Sequence, residues 1–254
     1  MDNKIVRAAA RAALALLAAA LICILSACTP EVPDNITTEA PATSSAPREL
    51  EVVSGGKAIY RVVYREGGTA AELEAARAVA KTLGRICSAE VTLASDMLMP
   101  GQEYPAEGYD ILVGYTGYPE SHRAYEELSY GSYSVSADGG RIVLAARGDN
   151  EISRTTDEFL SLLTVTGKGD ECRVVFPSDA VRRGTLSDEA AALPMISGGE
   201  YDSVYSTGDG AYMVVVKKAD ADISAAYLAA LAEAGFEERI RHTDEKNVFC
   251  SFEG

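Results

Sequence analysis

The sequence contains no tryptophan, only two histidines, and far fewer positive than negative charges: 23 Lys and Arg stand against 38 Asp and Glu, a formal charge of −15. Without tryptophan the chain lacks the usual flat platform for a sugar ring. His122 and His242 lie far apart in the chain, so a zinc or catalytic role would need them to converge with carboxylates, and a His-rich metal site is excluded. The acidic balance argues against a nucleic-acid partner or a polybasic membrane surface, since phosphate binding is driven by clustered Lys and Arg. There is no Gly-x-Ser-x-Gly elbow and no Cys-x-x-Cys pair. A length of 254 residues fits one large or two small domains.

The strongest signal that is present lies at the N-terminus. Asp2, Lys4, Arg7 and Arg11 precede an Ala/Leu/Ile run from Ala12 to Leu25, about 14 apolar residues. That is the length of a signal-peptide core and too short to span a bilayer comfortably. The run closes on Leu25, Ser26, Ala27 and Cys28, and these four residues match the lipobox of bacterial lipoproteins. The resemblance implies diacylation of the Cys28 thiol, cleavage just before it, and retention on the extracytoplasmic face of the cell membrane. Cys23 is a poorer candidate, because bulky Ile22 stands where a small residue is needed. Residues 1–27 carry three basic and one acidic residue, so the mature chain keeps 20 basic against 37 acidic residues and a charge of −17. Such a chain is weakly repelled by anionic lipid and is expected to stand off the surface.

Residues 28–49 hold the lipidated cysteine and a linker, with Pro30, Pro33, Pro41, Pro47 and six Ser/Thr and almost nothing apolar. This composition cannot bury enough surface to offset chain entropy. Asn35, Ile36 and Thr37 fit a glycosylation acceptor, but the lipobox resemblance implies a bacterium, where that triplet is usually incidental.

From 50 to 176 the pattern reads as α+β, with helices set against a mainly antiparallel sheet. Ala58 to Arg65 alternates like a strand, and Thr69 to Glu72 is a capping box opening a helix whose apolar face is Leu73, Ala76, Val79, Ala80 and Leu83, with Gly84 as its stop. Strands are expected at Glu90 to Leu93 and Tyr109 to Gly114, and a helical turn from Pro119 to Leu128. Ser132 to Ala137 and Arg141 to Ala146 flank Asp138-Gly139-Gly140, a hairpin turn signal. Asp149 or Asn150 is the expected cap of a last helix carrying Ile152, Phe159, Leu160 and Leu163, and Cys172 to Phe176 reads as one more strand.

The order of these elements, with Ile111 to Thr116, Pro119-Glu120-Ser121, Tyr133 to Val135 and Ile142 to Leu144, resembles the non-catalytic α+β domain that precedes the barrel in bacterial β-hexosaminidases and α-glucuronidases. The match covers about residues 50–165. In those enzymes the domain supports the barrel and carries no catalytic residue, so the resemblance implies none here, and the roughly 90 residues after it in this sequence are expected to be too few to hold a barrel.

Residues 177–200 read as a connector, and 201–254 as a smaller β-β-α-β-β unit: a hairpin around Ser206 to Gly210, an Ala-rich helix capped by Asp222 or Ser224 with Ala226, Leu228, Leu231 and Ala232, and a strand pair around Thr243 to Lys246. A unit of about 54 residues is marginal alone. Its end just beyond an apolar strand is compatible with a truncated gene product.

Several chemistries are set aside. Ser54 and Lys57 have the Ser-x-x-Lys spacing of penicillin-recognising enzymes without their companion elements, and Gly167-Lys168 lacks the upstream glycine of a phosphate loop. Asp220 and Asp222 lack the glycine and distal glutamate of a calcium loop. Acidic pairs such as Glu126-Glu127 and Glu237-Glu238 are coincidences to expect in so acidic a chain. Seven of thirteen tyrosines fall between Tyr104 and Tyr133, and Tyr115 and Tyr118 are the candidate glycan contacts. After lipidation Cys87, Cys172 and Cys250 remain, leaving open one disulfide with a free thiol or three buried thiols.

The expectation is therefore a membrane-anchored, extracytoplasmic, non-enzymatic lipoprotein without catalytic residues, metal or cofactor. Its partners are the bilayer, through acylated Cys28, and cell-wall glycan or an envelope protein. The alternative is the N-terminal accessory region of an exported, glycosidase-like hydrolase.

Overall fold

The computed structural model describes residues 49–88, 90–199, 201–206, 212–243 and 248–253. Residues 1–48, on which the expected signal peptide, Cys28 and nearly all of the expected linker fall, lie outside them, as do residues 207–211 and 244–247, while Glu49 opens the first strand.

Strands β1 (Glu49–Ser54) and β2 (Lys57–Ala58) form a hairpin across Gly55 and Gly56, both with positive φ. Strand β3 (Arg61–Tyr64) leads into helix α1 (Ala70–Cys87) and the parallel strand β4 (Leu93–Ser95). The capping box is formed: Thr69 Oγ1 accepts from Glu72 N at 3.2 Å and Glu72 Oε2 accepts from Thr69 N at 2.9 Å. The helix runs past Gly84, because Leu83 and Cys87 are both buried and continue the apolar face for another turn. Ser88 closes it in the left-handed conformation, its N–H donating to Gly84 O.

Strand β5 (Asp110–Val113) is followed by helix α2 (Pro119–Glu126) and by strands β6 (Ser132–Asp138) and β7 (Arg141–Ala146). The two-residue turn Gly139-Gly140 joins β6 to β7, with Asp138 opposite Arg141. Helix α3 (Asp149–Leu162) starts after Gly148, not after an Asp or Asn cap; Asp149 and Glu151 instead place negative charge in its first turn. Strands β8 (Thr164–Thr166), β9 (Arg173–Pro177) and β10 (Val181–Thr185) and a one-turn helix α4 (Asp188–Ala191) follow.

The fold is α+β. A six-stranded sheet has the order β10-β6-β7-β5-β3-β4, and an antiparallel sheet the order β2-β1-β9-β8. Most pairings are antiparallel, but β4, β3, β5 and β7 run parallel. Of these, β5 and β7 read as apolar runs because both of their faces are covered, whereas β4 lies at the sheet edge. Val62, Ile111, Val113, Ile142 and Leu144 face α1, α3 and the second sheet in one apolar cluster; Val63, Leu112, Val143 and Ala145 face Tyr118 and Leu128 on the other side. Phe159 of α3 stacks on Phe176 of β9 with ring centroids 5.7 Å apart, tying the second sheet to the helices.

The stretch read as a connector supplies β10, which pairs with β6 at the sheet edge. Strands β11 (Tyr201–Ser206) and β12 (Tyr212–Lys217), helix α5 (Ala221–Glu233) and strands β13 (Glu237–Thr243) and β14 (Val248–Glu253) complete the β-β-α-β-β order. The strands make two separate antiparallel pairs. Asp220, not Asp222 or Ser224, caps α5: its Oδ1 accepts from Ile223 N at 2.8 Å, three residues on. Ala226 and Ala232 are exposed and Leu231 is buried, while Val204 of β11 packs with Tyr130 and Ala190 of the larger region.

Candidate functional site

The chain leaves β3 for β4 on one side and returns to β5 on the other, so the strand order reverses at the β3/β5 junction. In open sheets with parallel strands, ligands sit outside the carboxyl ends of the strands at such a reversal. Here that crevice is closed by two carboxylates. Asp96, 8% exposed, accepts from Glu66 N and Gly117 N, both at 2.7 Å, and so joins the loop after β3 to the loop after β5. Glu72, also 8% exposed, adds to its capping bond an acceptance from Tyr115 N at 3.0 Å. Gly114 has φ +80, and a Cβ there would overlap the Glu72 carboxylate. Both acids hold backbone in place, and their oxygens are already taken by amides.

Above them is an aromatic stack. Tyr115, half-buried, lies parallel to His122 with centroids 4.6 Å apart and against Tyr125 at 4.5 Å, with the Arg65 guanidinium 5.4 Å from its ring. Arg147 covers the Tyr125 ring at 4.0 Å and donates from Nε to Tyr125 O at 3.2 Å. Beneath, Thr69, Glu72, Tyr125, Gly148 and Ser203 line a cavity of about 20 Å³, room for a single water. An open groove of about 320 Å³ runs where β10 meets β6; Ser129 and Ser132 share a hydroxyl contact at 2.7 Å, Ser132 and Thr185 one at 3.2 Å, and Arg183 pairs with Glu127. This end of the sheet thus presents hydroxyls, the Arg183 guanidinium paired with Glu127, and a half-exposed tyrosine stack.

At the opposite ends of the strands is a buried charge cluster that the sequence reading missed. Arg141, fully buried, donates to Asp110 Oδ2 at 3.2 Å, Glu120 Oε1 at 2.8 Å, Pro105 O at 2.6 Å and Ala106 O at 3.3 Å. Arg61 donates to Asp110 Oδ1 at 2.6 Å and to the Tyr118 hydroxyl at 3.2 Å. The Asp110 hydrogen bond holds the Arg61 guanidinium above its ordinary pKa. A signal existed: Arg61, Asp110 and Arg141 each stand immediately before an apolar strand run, and parallel register sets Asp110 beside Arg61, with Ile111 beside Ile142 one position on. Opposite charges therefore alternate across three neighbouring strands.

Tyr118 is not available as a glycan contact. It is 3% exposed, its ring lies 4.6 Å from Tyr104 and 5.0 Å from the Arg141 guanidinium, and burial beside Asp110 pushes its hydroxyl pKa up. Its place before Pro119 looked like loop, but the side chain turns into the cluster with Leu112 and Val63. Tyr115 keeps an exposed part. Cys28, Leu25, Ser26 and Ala27 lie outside the described residues, as does the side chain of His242. Ser54 and Lys57 face each other across the β1–β2 turn. Among the described residues no three His, Cys, Asp or Glu side chains gather as metal ligands, and no helix is long and apolar enough to cross a membrane. No protein-family model matches the chain, and no curated protein matches it.

Proposed function

We propose that the chain is a lipid-anchored, extracytoplasmic lipoprotein whose α+β region acts as a non-catalytic binding or scaffold module. The observation that carries this reading is the run from Ala12 to Leu25 ending in Leu25-Ser26-Ala27-Cys28, followed at once by the Pro/Ser/Thr-rich linker. One acyl chain gives marginal membrane binding and two make it stable, at about 0.8 kcal/mol per buried CH₂. The non-catalytic part is supported by the engagement of Glu72, Asp96 and Asp110 in bonds that hold loops and strands. The contact is cell-wall glycan or an envelope protein, with Tyr115 and the hydroxyl-lined groove as the surface. Fractionation of cells making Cys28→Ala tests the anchor: the variant leaves the membrane or stays unprocessed, and normal cleavage with normal membrane retention contradicts the reading.

A second reading, the accessory region of an exported glycosidase-like hydrolase, is favoured by one observation. The stretches that carry the family resemblance form β5, β6 and β7, three adjacent strands of one sheet. An uninterrupted reading frame beyond Gly254 into a catalytic domain would select it over the stand-alone module.

A further inference from the structure

Cys87 ends α1 and Cys172 immediately precedes β9, about 85 residues later. Both side chains are buried, 2% and 0% exposed, in the same apolar cluster. Cys172 Sγ lies 3.9 Å from the carbonyl oxygen of Ile86, the residue just before Cys87, and both thiols are free. The surrounding backbone is fixed from two sides: Gly56 N donates to Cys172 O at 3.0 Å, and Ser88 N–H closes α1 on Gly84 O.

We propose that Cys87 and Cys172 are joined by a disulfide in the mature protein, stapling the last turn of α1 to β9. The idea rests on the extracytoplasmic reading only for its oxidant, because disulfides persist in oxidising compartments. The oxidant is a disulfide donor, either a thiol–disulfide oxidoreductase or a small disulfide such as oxidised glutathione. One cysteine thiolate attacks the donor and forms a mixed disulfide; the second displaces the donor sulfur. Two S–H bonds are lost, one S–S bond forms, and the two electrons and two protons leave on the two donor thiols.

Timing follows from burial. In the folded chain, burial and the neighbouring Cys172 push the Cys87 thiol up to about 12, so almost no thiolate is present at neutral pH. The bond therefore forms during folding, while both thiols are still exposed near the ordinary cysteine range, and once formed it is shielded from reductants. Cys250 is left as the odd thiol.

The test uses the full purified chain, reduced, denatured and refolded in a glutathione redox buffer, then alkylated and digested with trypsin without reduction. The cysteines separate cleanly: Cys87 falls on peptide 86–123, Cys172 on 169–173, Cys250 on 247–254, and Cys23 with Cys28 on 12–48. The expected product is 86–123 linked to 169–173, lighter by two hydrogens than the sum of the free peptides, with 247–254 alkylated. Alkylation of both Cys87 and Cys172, or a link from either to Cys250, overturns the proposal. Adding oxidised glutathione after folding under reducing conditions should form the same link at least about tenfold more slowly; equal rates contradict the burial argument. In Cys172→Ser, Cys87 should become fully alkylated after denaturation, whether or not the variant folds. The redox buffer supplies the oxidant in this assay, so a link found in a chain that fails to reach the membrane defeats only the location.

Discussion

Replacing Arg141 with methionine removes the one group that links Asp110, Glu120 and the loop carbonyls of Pro105 and Ala106. Methionine fills much of the volume but donates nothing. Asp110 keeps Arg61, whereas Glu120, 7% exposed and with Oε2 already lacking a partner, loses its hydrogen-bonded cation, and nearby Arg123 is held by Asp138. Breaking a buried ion pair by deleting one partner costs about 3–5 kcal/mol, because the remaining charge is uncompensated. For a domain of this size each kcal/mol moves the midpoint by about 2–4 °C, so thermal unfolding should shift down by roughly 6–20 °C. The control is Arg61→Met: that side chain is 44% exposed and the pair is worth about 0–1 kcal/mol in water. Adding Glu120→Gln to Arg141→Met should recover about 1–2 kcal/mol by removing the stranded charge. Circular dichroism melts of the four proteins decide the matter. Equal losses for Arg141→Met and Arg61→Met, or a further loss on adding Glu120→Gln, would refute the reasoning.

Gly114→Ala should cost about 2–4 kcal/mol in urea unfolding, since φ +80 strains alanine and the Cβ displaces Glu72, whereas Gly101→Ala, at φ +84 in open space, should cost only about 1 kcal/mol; equal costs would contradict the Glu72 contact. Glu151, 1% exposed, has its pKa raised above the ordinary 4.5 by burial, so its contribution to stability is complete below that value and is lost as pH rises through the raised one. Melting temperatures of Glu151→Gln should therefore gain on the parent between pH 4 and pH 8, and a constant difference would contradict the assignment. Tyr115→Ala should weaken retention on purified peptidoglycan about 2- to 12-fold if the stack is the contact surface, as expected for about 0.5–1.5 kcal/mol of ring stacking; unchanged retention removes Tyr115 from the surface.

Local structure was legible in the sequence where the cause was local. Thr69 and Glu72 opened α1, Gly139-Gly140 turned β6 into β7, and the alternation from Ala58 to Arg65 marked a strand, of which Arg61 to Tyr64 forms β3 while Ala58 ends β2. Long-range pairing was not. Strand β1 pairs with β9 more than 100 residues later, Glu49 opposite Pro177, and its short run before Ser54-Gly55-Gly56 carried no pattern to announce that. Glu72 was readable as a cap, but its second bond, to Tyr115 N, depends on β5 lying beside β3. Tyr118 was misplaced for the same reason: its burial comes from Val63, Tyr104 and Arg141, 55, 14 and 23 residues away in sequence. The α+β class followed from the elements, whereas the parallel run of β4, β3, β5 and β7 followed from how they assembled.

The central claim is that the working form of this chain begins at an acylated Cys28. It is tested most directly by the intact mass and N-terminal peptide of the protein extracted from the membranes of a bacterial host. The account predicts a chain starting at Cys28 and carrying a diacylglyceryl group on its sulfur. A mature N-terminus at any other residue, or an unmodified Cys28 in membrane-bound protein, would contradict it.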